Sequence, residues 1–359
     1  MWYEKRMTPA LDHLTRLLQH VFIDAGSTFS LISLTSALII SATWLALRRR
    51  RRTPLRLKVL ARALFPSRIW KHASTRADIG LFVLSITGMS LLIGWGLVSA
   101  RGIERMVEGG LNGAVGASVI STPAWLACGV LTLTGFLAYD FSYWFDHYLK
   151  HRIGWLWAFH RVHHTAEVLT PLTSYRTHPV DNLIFANISA VVIGAAEGIA
   201  HYLLGAHVPE LAIAGTNALL VAFLYTTIHL QHSHIRIAFT GRLGHVVFSP
   251  AHHHIHHSAD PRHYDCNLGS CLAVWDWMAG TLRLPDPKAR LKFGTAADED
   301  PHSATGTLLY PFVLAFGAVW PGTNRRRGPT PPPHLTASRL VRSPSPESRG
   351  GSEMEKAPR

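Results

Sequence analysis

The sequence predicts an all-α membrane protein with about five transmembrane helices and a helical cap on the cytoplasmic side. Two observations predict this class: few charged residues and several long apolar segments. Of 359 residues, 48% are hydrophobic and 16% are charged, whereas soluble domains carry about 25% charged residues. A third observation is the presence of 23 histidines, a residue type that commonly binds metals.

Five apolar segments are long enough to cross a membrane, since a span needs about 20 mostly apolar residues. A soluble protein with buried core helices is the alternative, and it is disfavoured because hydropathy identifies spans well. The first segment is too long for a cleavable signal peptide. The five segments are 21–47, 79–100, 118–138, 183–204 and 209–228.

Basic residues predict the orientation of these segments. Residues 48–52 are five consecutive arginines, and the following loop is also basic, which places that loop in the cytoplasm. The charges in the loop 101–116 balance, so this loop can face outward. Counting spans then places 140–181 and everything from His229 onward on the cytoplasmic side.

The net charge of +13 raises the alternative of a nucleic-acid-binding patch. The arginine run abuts an apolar segment and has no aromatic residues interleaved with it. We therefore expect no nucleic-acid partner.

The composition divides the chain into four parts. Residues 1–116 form an N-terminal membrane region with two spans, and 117–290 contain most of the histidines. The extension 291–323 contains an apolar segment, 308–320, that is too short for a further span, so it lies at the membrane interface or packs on the helices. Residues 324–359 are rich in Pro and Ser and are predicted to be disordered.

The histidines form three clusters with helical spacing, because residues three or four apart share one helix face. The first cluster is His147 and His151. The second and third, 160–164 and 253–257, share the pattern His-x-x-His-His, although His252 could also pair with His256 in the third. Single pairs are common accidents, but three clusters on one membrane face predict a metal site.

The number of imidazoles exceeds the four ligands of a structural zinc site, so two adjacent ions explain it better. Imidazole suits zinc, copper, iron and nickel, and zinc binds such sites more tightly than Fe(II). Iron fits a site with open positions for oxygen, although zinc could replace iron during purification.

Over about residues 130–285 the sequence resembles the integral-membrane fatty acid hydroxylase/sterol desaturase superfamily. The resemblance begins with Asp-Phe-Ser-Tyr-Trp-Phe-Asp-His and His-Arg-Val-His-His, and it ends with Asp-x-Asn-x-Gly, Trp-Asp and Gly-Thr. These motifs occupy 140–147, 160–164, 265–269, 275–276 and 280–281, with 177–179, 231–233 and 253–257 between them.

This resemblance implies a non-haem di-iron enzyme that uses O₂ to hydroxylate or desaturate a C–H bond of a sterol or fatty acyl lipid. No dinucleotide-binding glycine motif is present, so electrons come from an external donor of the cytochrome b5 or ferredoxin type. A bacterial inner membrane or an endoplasmic reticulum membrane would suit such an enzyme. The sequence departs from the usual motifs of this superfamily at two places. His234 occupies a position that is often Asn, and Cys266 and Leu268 replace the usual Lys and Tyr of the closing motif. The resemblance therefore does not identify the lipid substrate.

The candidate site residues follow from these motifs. We expect Asp140, Asp265 and Asn267, with Asp146 and Asp181, to hold imidazole N–H groups. Lys150 and Arg152 are expected to be interface anchors. The candidate metal ligands are His147, His151, His160, His163, His164, His178, His229, His232, His253, His256 and His257.

Two other functions also gather histidines in membranes. A metal transporter, or a metal-binding protein without oxygenase activity, would place its ligands at midplane depth on broken helices. A zinc hydrolase would need a general base such as the Glu of His-Glu-x-x-His, and no cluster here contains one.

Overall fold

The computed structural model describes residues 4–49, 56–93, 96–286, 289–295 and 301–319. The arginine run is described only as far as Arg49, and the predicted disordered tail 324–359 lies outside the described residues. The described part is mostly helical, and its one sheet is a hairpin of two two-residue strands, β1 (Ala212–Ile213) and β2 (Thr216–Asn217).

The helices in the first half of the chain are α1 Glu4–Phe22, α2 Leu31–Arg49, α3 Leu57–Leu64, α4 Ser67–Trp70, α5 Ala73–Ile93, α6 Ala100–Val115, α7 Ala124–Arg152 and α8 Gly154–His164. Those that follow are α9 Pro179–Leu204, α10 Ala218–Phe223, α11 His229–Gln231, α12 Gly241–Val246, α13 Pro250–His256, α14 Val274–Ala279 and α15 Tyr310–Val319. Short 3-10 turns occupy Pro171–Tyr175 and Pro261–His263, and π-helical turns occupy Leu224–Ile228 and Thr305–Leu309.

Three of the described helices are long and apolar enough to cross a membrane: α7, α9 and the segment Leu31–Arg48 of α2. The first predicted span, 21–47, is interrupted by a loop between α1 and α2. The third begins as a helix only at Ala124 and then continues through the first histidine pair to Arg152.

The second and fifth predicted spans are not among these three helices. The second, 79–100, includes residues 94–95, which lie outside the described residues. The fifth, 209–228, starts with the β1–β2 hairpin, and its helical part Ala218–Gln231 is shorter than the roughly 20 residues that a bilayer requires. A count of five spans therefore remains a prediction.

The predicted connection 101–116 between the second and third spans is helical, since α6 covers Ala100–Val115, and its outward orientation stays a prediction. Helix α6 packs along α9 at two glycines spaced four residues apart. A Cβ on Gly194 would lie 2.3 Å from the Ala100 carbonyl oxygen, and a Cβ on Gly198 would lie 2.6 Å from that of Glu104. Small residues at this spacing let two helix backbones approach closely.

Helices α7 and α9 run antiparallel and position the histidine clusters. Ser142 and Ser189 share a 3.0 Å hydrogen bond, and Lys150 at the end of α7 meets Asp181 in the first turn of α9. The C-terminal end of α7 and the N-terminal end of α9 therefore lie together. The helices α8 and α13, which carry the other two clusters, gather at this same end.

The flanking segments also pack on this core. Arg176, fully buried, binds Asp78 of α5 at 2.9 Å. In the extension 291–323, α15 packs on α8, with the rings of Phe159 and Phe312 5.2 Å apart. The extension therefore packs on the helices, which is one of its two predicted placements.

Candidate metal centre

Nine histidines gather into two groups in which the potential ligand atoms lie within 4.8 Å of one another. Their exposed fractions range from 0 to 6%, so solvent is largely excluded. The group of five, named here the five-His cluster, is His147, His151, His160, His164 and His256. The group of four, the four-His cluster, is His163, His232, His253 and His257.

Local helical geometry explains part of this grouping. His147 and His151 share a face of α7, and His160 and His164 share a face of α8, because each pair is four residues apart. Adjacent residues point in different directions, so His163 joins the four-His cluster while His164 joins the five-His cluster. His256 and His257 divide in the same way.

In the four-His cluster the Nε2 atoms converge on one point. His232 Nε2 lies 3.1 Å from that of His163, 2.8 Å from that of His253 and 3.2 Å from that of His257. A tetrahedral ion with bonds of about 2.0–2.1 Å would separate its ligand nitrogens by about 3.3 Å. These four residues therefore fit one metal ion.

In the five-His cluster, hydrogen bonds fix which nitrogen is free. His147 Nδ1 donates to the Leu268 carbonyl at 2.8 Å, and His256 Nδ1 donates to the Cys266 carbonyl at 3.0 Å. Their Nε2 atoms are buried and have no partner among the described residues. Each Nε2 therefore carries an available lone pair, which is the form that binds a metal.

The two clusters are direct neighbours. The ring centroids of His164 and His257 are 4.8 Å apart, and those of His256 and His257 are 5.4 Å apart. The arrangement suits two adjacent ions.

Burial keeps these imidazoles neutral. It lowers the pKa of His163 to about 4, and burial together with the neighbouring imidazoles holds the pKa of His257 well below 6.5. Neutral imidazoles have the lone pairs that metal binding requires.

Carboxylates support two further rings of the five-His cluster. His151 Nδ1 lies 3.2 Å from Asp265 Oδ1, and His160 Nδ1 lies 3.4 Å from Asp181 Oδ2. Such carboxylate–histidine pairs orient metal-binding rings and increase their basicity. The sequence reasoning missed the carbonyls of Cys266 and Leu268, because a backbone acceptor leaves no trace in residue type.

Asp140 and Asn267 do not hold imidazole N–H groups, as the sequence led us to expect, but bind backbone groups and an indole. Asp140 accepts from the backbone N–H groups of Cys271 and Leu272 and from the Trp275 indole. Asn267 exchanges hydrogen bonds with the backbone of Arg283. Both fasten the loop whose carbonyls support the five-His cluster.

Lys150 is not an interface anchor, because it is only 3% exposed. Its Nζ lies 2.6 Å from Asp146 Oδ2 and 2.9 Å from Asp181 Oδ1. Since Asp181 also meets His160, the lysine positions a carboxylate that supports the five-His cluster. The expectation for Arg152 agrees better with the structure, in which this residue is exposed.

Two candidate ligands lie outside both clusters. His178 Nδ1 accepts from Val180 N at the start of α9, and its Nε2 donates to the Leu308 carbonyl. His229 Nε2 donates to the Thr28 carbonyl at 2.6 Å. His252 is also separate, since its Nδ1 lies 2.7 Å from Ser249 Oγ at the start of α13, which resolves the register of the third cluster.

Residues 132–281 match the Fatty acid hydroxylase family. This match includes every histidine of the two clusters. Over this segment, which is less than half of its length, the chain is therefore similar to the fatty acid hydroxylase family.

Among the relatives are two named enzymes of lipid metabolism. An alkylglycerol monooxygenase from Caenorhabditis elegans is 27% identical over 50% of this chain and 31% of its own length. The ornithine lipid hydroxylase OlsE from Rhizobium tropici is 27% identical over 42% of this chain and 41% of its own length.

A very-long-chain aldehyde decarbonylase from Oryza sativa subsp. indica is 25% identical over 55% of this chain and 32% of its own length. The matches thus span less than half the length of these relatives. No solved structure matches the chain.

Proposed function

We propose that this protein is an O₂-dependent di-iron hydroxylase or desaturase that acts on a C–H bond of a membrane lipid. The observation that carries the proposal is the pair of adjacent, buried histidine clusters with converging Nε2 atoms. The relatives named for monooxygenase and hydroxylase activities support the reaction class.

The two clusters would hold the two irons, and iron bound there would supply the redox chemistry that activates O₂. Hydroxylation consumes the lipid C–H group, O₂, two electrons and two protons, and it yields the alcohol and water. Desaturation uses the same inputs, removes two hydrogens from adjacent carbons and yields two waters.

The chain itself supplies orientation and water exclusion. Carbonyls and carboxylates behind the five-His cluster fix the rings, so that the nitrogen lone pairs point inward before metal binds. Burial excludes water from the reacting centre, which protects a strong oxidant from side reactions. The clusters lie where α7 ends and α9 begins, and the basic loop after the first predicted span supports a site at the cytoplasmic membrane surface, within reach of lipid and of an external electron donor.

An experiment on the full chain tests this proposal. The protein is purified anaerobically in detergent, iron and zinc are counted per chain, and iron is restored where zinc is found. The iron form is then given membrane lipid, a chemical reductant and ¹⁸O₂, and the products are analysed by mass spectrometry. We expect about two metals and a product that gains one ¹⁸O atom or loses two hydrogens.

The control variant is His207→Ala, which removes an imidazole with a 76% exposed side chain outside both clusters. It should retain metal and product, whereas His163→Ala should lose product. Metal flux across vesicles without any lipid product would favour the transporter alternative. A folded parent protein without metal would overturn the proposal.

A further inference from the structure

Two cavities share a wall beside the four-His cluster. One is apolar with a volume of about 390 Å³, and the other has a volume of about 440 Å³ and is lined by basic side chains. Ile69, Ser233 and His234 line both of them. Since Ser233 directly follows His232, their shared wall adjoins the four-His cluster.

The apolar cavity lies between α2, the segment of α3 and α4, and the residues around α11. One face of α2 lines it with Leu34, Ala37, Leu38 and Ser41, which recur at helical spacing. Its volume lies within the range of about 300–1,000 Å³ that is typical of ligand pockets. Helix α2 is one of the candidate membrane spans, so an alkyl chain is the natural occupant.

The second cavity, named here the cationic cavity, has an excess of basic groups. Arg68, Arg236 and three histidines line it, and Glu167 is the one acidic residue in the described part of its lining. Asp286 lies close enough to Arg236 to act on its charge. The carboxylate of that half-exposed glutamate lies 3.6 Å from His72 Nε2 and 3.5 Å from His302 Nε2. The guanidinium groups of the two arginines suit an anionic group.

Two side chains in this cavity have buried nitrogen atoms without partners among the described residues. Arg236 binds the Ala289 carbonyl through Nη1, but its Nε and Nη2 have no acceptor there. His254 is 3% exposed, and its Nε2 is also unpartnered. Buried polar atoms are rarely left unsatisfied in proteins, so these atoms point to a ligand.

From these observations we propose that the paired cavities bind one anionic lipid, with its phosphate-type headgroup at Arg236 and its alkyl chain in the apolar cavity. Guanidinium groups suit phosphate because their planar N–H donors match its oxygens. The inference that this lipid is the substrate rests on the proposed function, whereas its binding does not. An acidic protein surface fits less well, because it could not fill the apolar half.

The test measures binding to the full chain in neutral detergent. The probes are dioctanoyl phosphatidylglycerol, the neutral dioctanoylglycerol and inorganic phosphate. We expect the anionic lipid to bind at least tenfold more tightly than either of the others, since only it fills both cavities. Equal affinity for the neutral and anionic lipids would overturn the proposal, as would binding of phosphate as tight as that of the anionic lipid.

Three variants test the headgroup site and the alkyl-chain site separately. Arg236→Gln should weaken binding of the anionic lipid at least tenfold and leave binding of the neutral lipid unchanged. Ala37→Trp, which fills the apolar cavity, should weaken binding of both lipids. Arg242→Gln, at an exposed arginine of α12 outside the cationic cavity, is the matched control and should change neither.

The unfolding temperature and metal content of each variant establish that it is folded. A folded Arg236→Gln protein that binds the anionic lipid like the parent would contradict the assignment of the headgroup. His257→Ala should bind the lipid normally even when oxygenase activity is lost. Failure of lipid binding and failure of the proposed reaction are therefore distinguishable.

Discussion

The two histidine clusters differ in the hydrogen-bond partners of the imidazole nitrogens that face away from the metal site. In the five-His cluster, two rings donate to backbone carbonyls and two face Asp181 and Asp265. In the four-His cluster, His232 meets Ser174 Oγ at 3.1 Å, while the Nδ1 atoms of His253 and His257 have no partner among the described residues. The five-His cluster is therefore organised by its surroundings, and the four-His cluster depends more on the ion that it binds.

The two clusters also differ in the number of potential ligands, five against four. The neighbouring residues His256 and His257, one from each cluster, provide a matched pair to test this difference. His257→Ala leaves three ligands, whereas His256→Ala leaves four, which is a complete tetrahedral set. We expect His257→Ala to retain about one metal per chain, and His256→Ala to retain both with weaker affinity.

Metal analysis of the two purified variants checks this prediction. The unfolding temperature in detergent shows that each is folded. If both variants lose both metals, the clusters act as one site and the distinction between them is wrong.

The second prediction concerns Lys150, because its ammonium group holds Asp181, which supports His160 of the five-His cluster. Lys150→Met would leave Asp146 and Asp181 buried without a counter-charge, and breaking such a pair costs about 3–5 kcal/mol. We expect the unfolding temperature in detergent to fall by at least roughly 6 °C.

Arg152→Met is the control, since Arg152 lies on the same turn but is exposed. It should shift the unfolding temperature by a degree or two at most. A Lys150→Met protein as stable as this control would show that the buried ion pairs contribute little.

The sequence predicts those features of the metal centre that depend on contacts between residues close together in the chain. The helical spacing of His160, His163 and His164 is visible in the sequence, and so is their presence in one site. The division of His163 and His164 between clusters is not visible, because it depends on where α13 and α7 pack around α8.

Lys150 and the segment 101–116 show the same limit. Lysine near the end of an apolar helix is ordinarily an anchor, but here two carboxylates explain its burial. Asp146 is one turn earlier on the same helix, whereas Asp181 is 31 residues further along the chain and could not be paired with Lys150 from the sequence. The balanced charges of the connection 101–116 do not reveal its helix α6, which packs on α9 where Gly194 and Gly198 allow close approach.

A third prediction concerns the carboxylate behind His151. Asp265→Asn keeps the size of the side chain and removes its charge. Since such supporting groups are worth about 10–100-fold in metal affinity, we expect weakening in this range for the five-His cluster only. Competition with a chelator, followed ion by ion, would measure it. Equal weakening at both clusters would mean that Asp265 supports the whole fold rather than one set of rings.

The smallest effect is expected at Ser174, whose hydroxyl is the one side-chain group described as supporting a ring of the four-His cluster from behind. Ser174→Ala removes a single neutral hydrogen bond, worth about 0.5–1.5 kcal/mol, so metal affinity at this cluster should fall by less than about tenfold. The same chelator competition measures it, with Asp265→Asn as the comparison. If Ser174→Ala weakens metal binding more than Asp265→Asn does, then the four-His cluster is also organised by its surroundings, and the contrast between the two clusters would have to be abandoned.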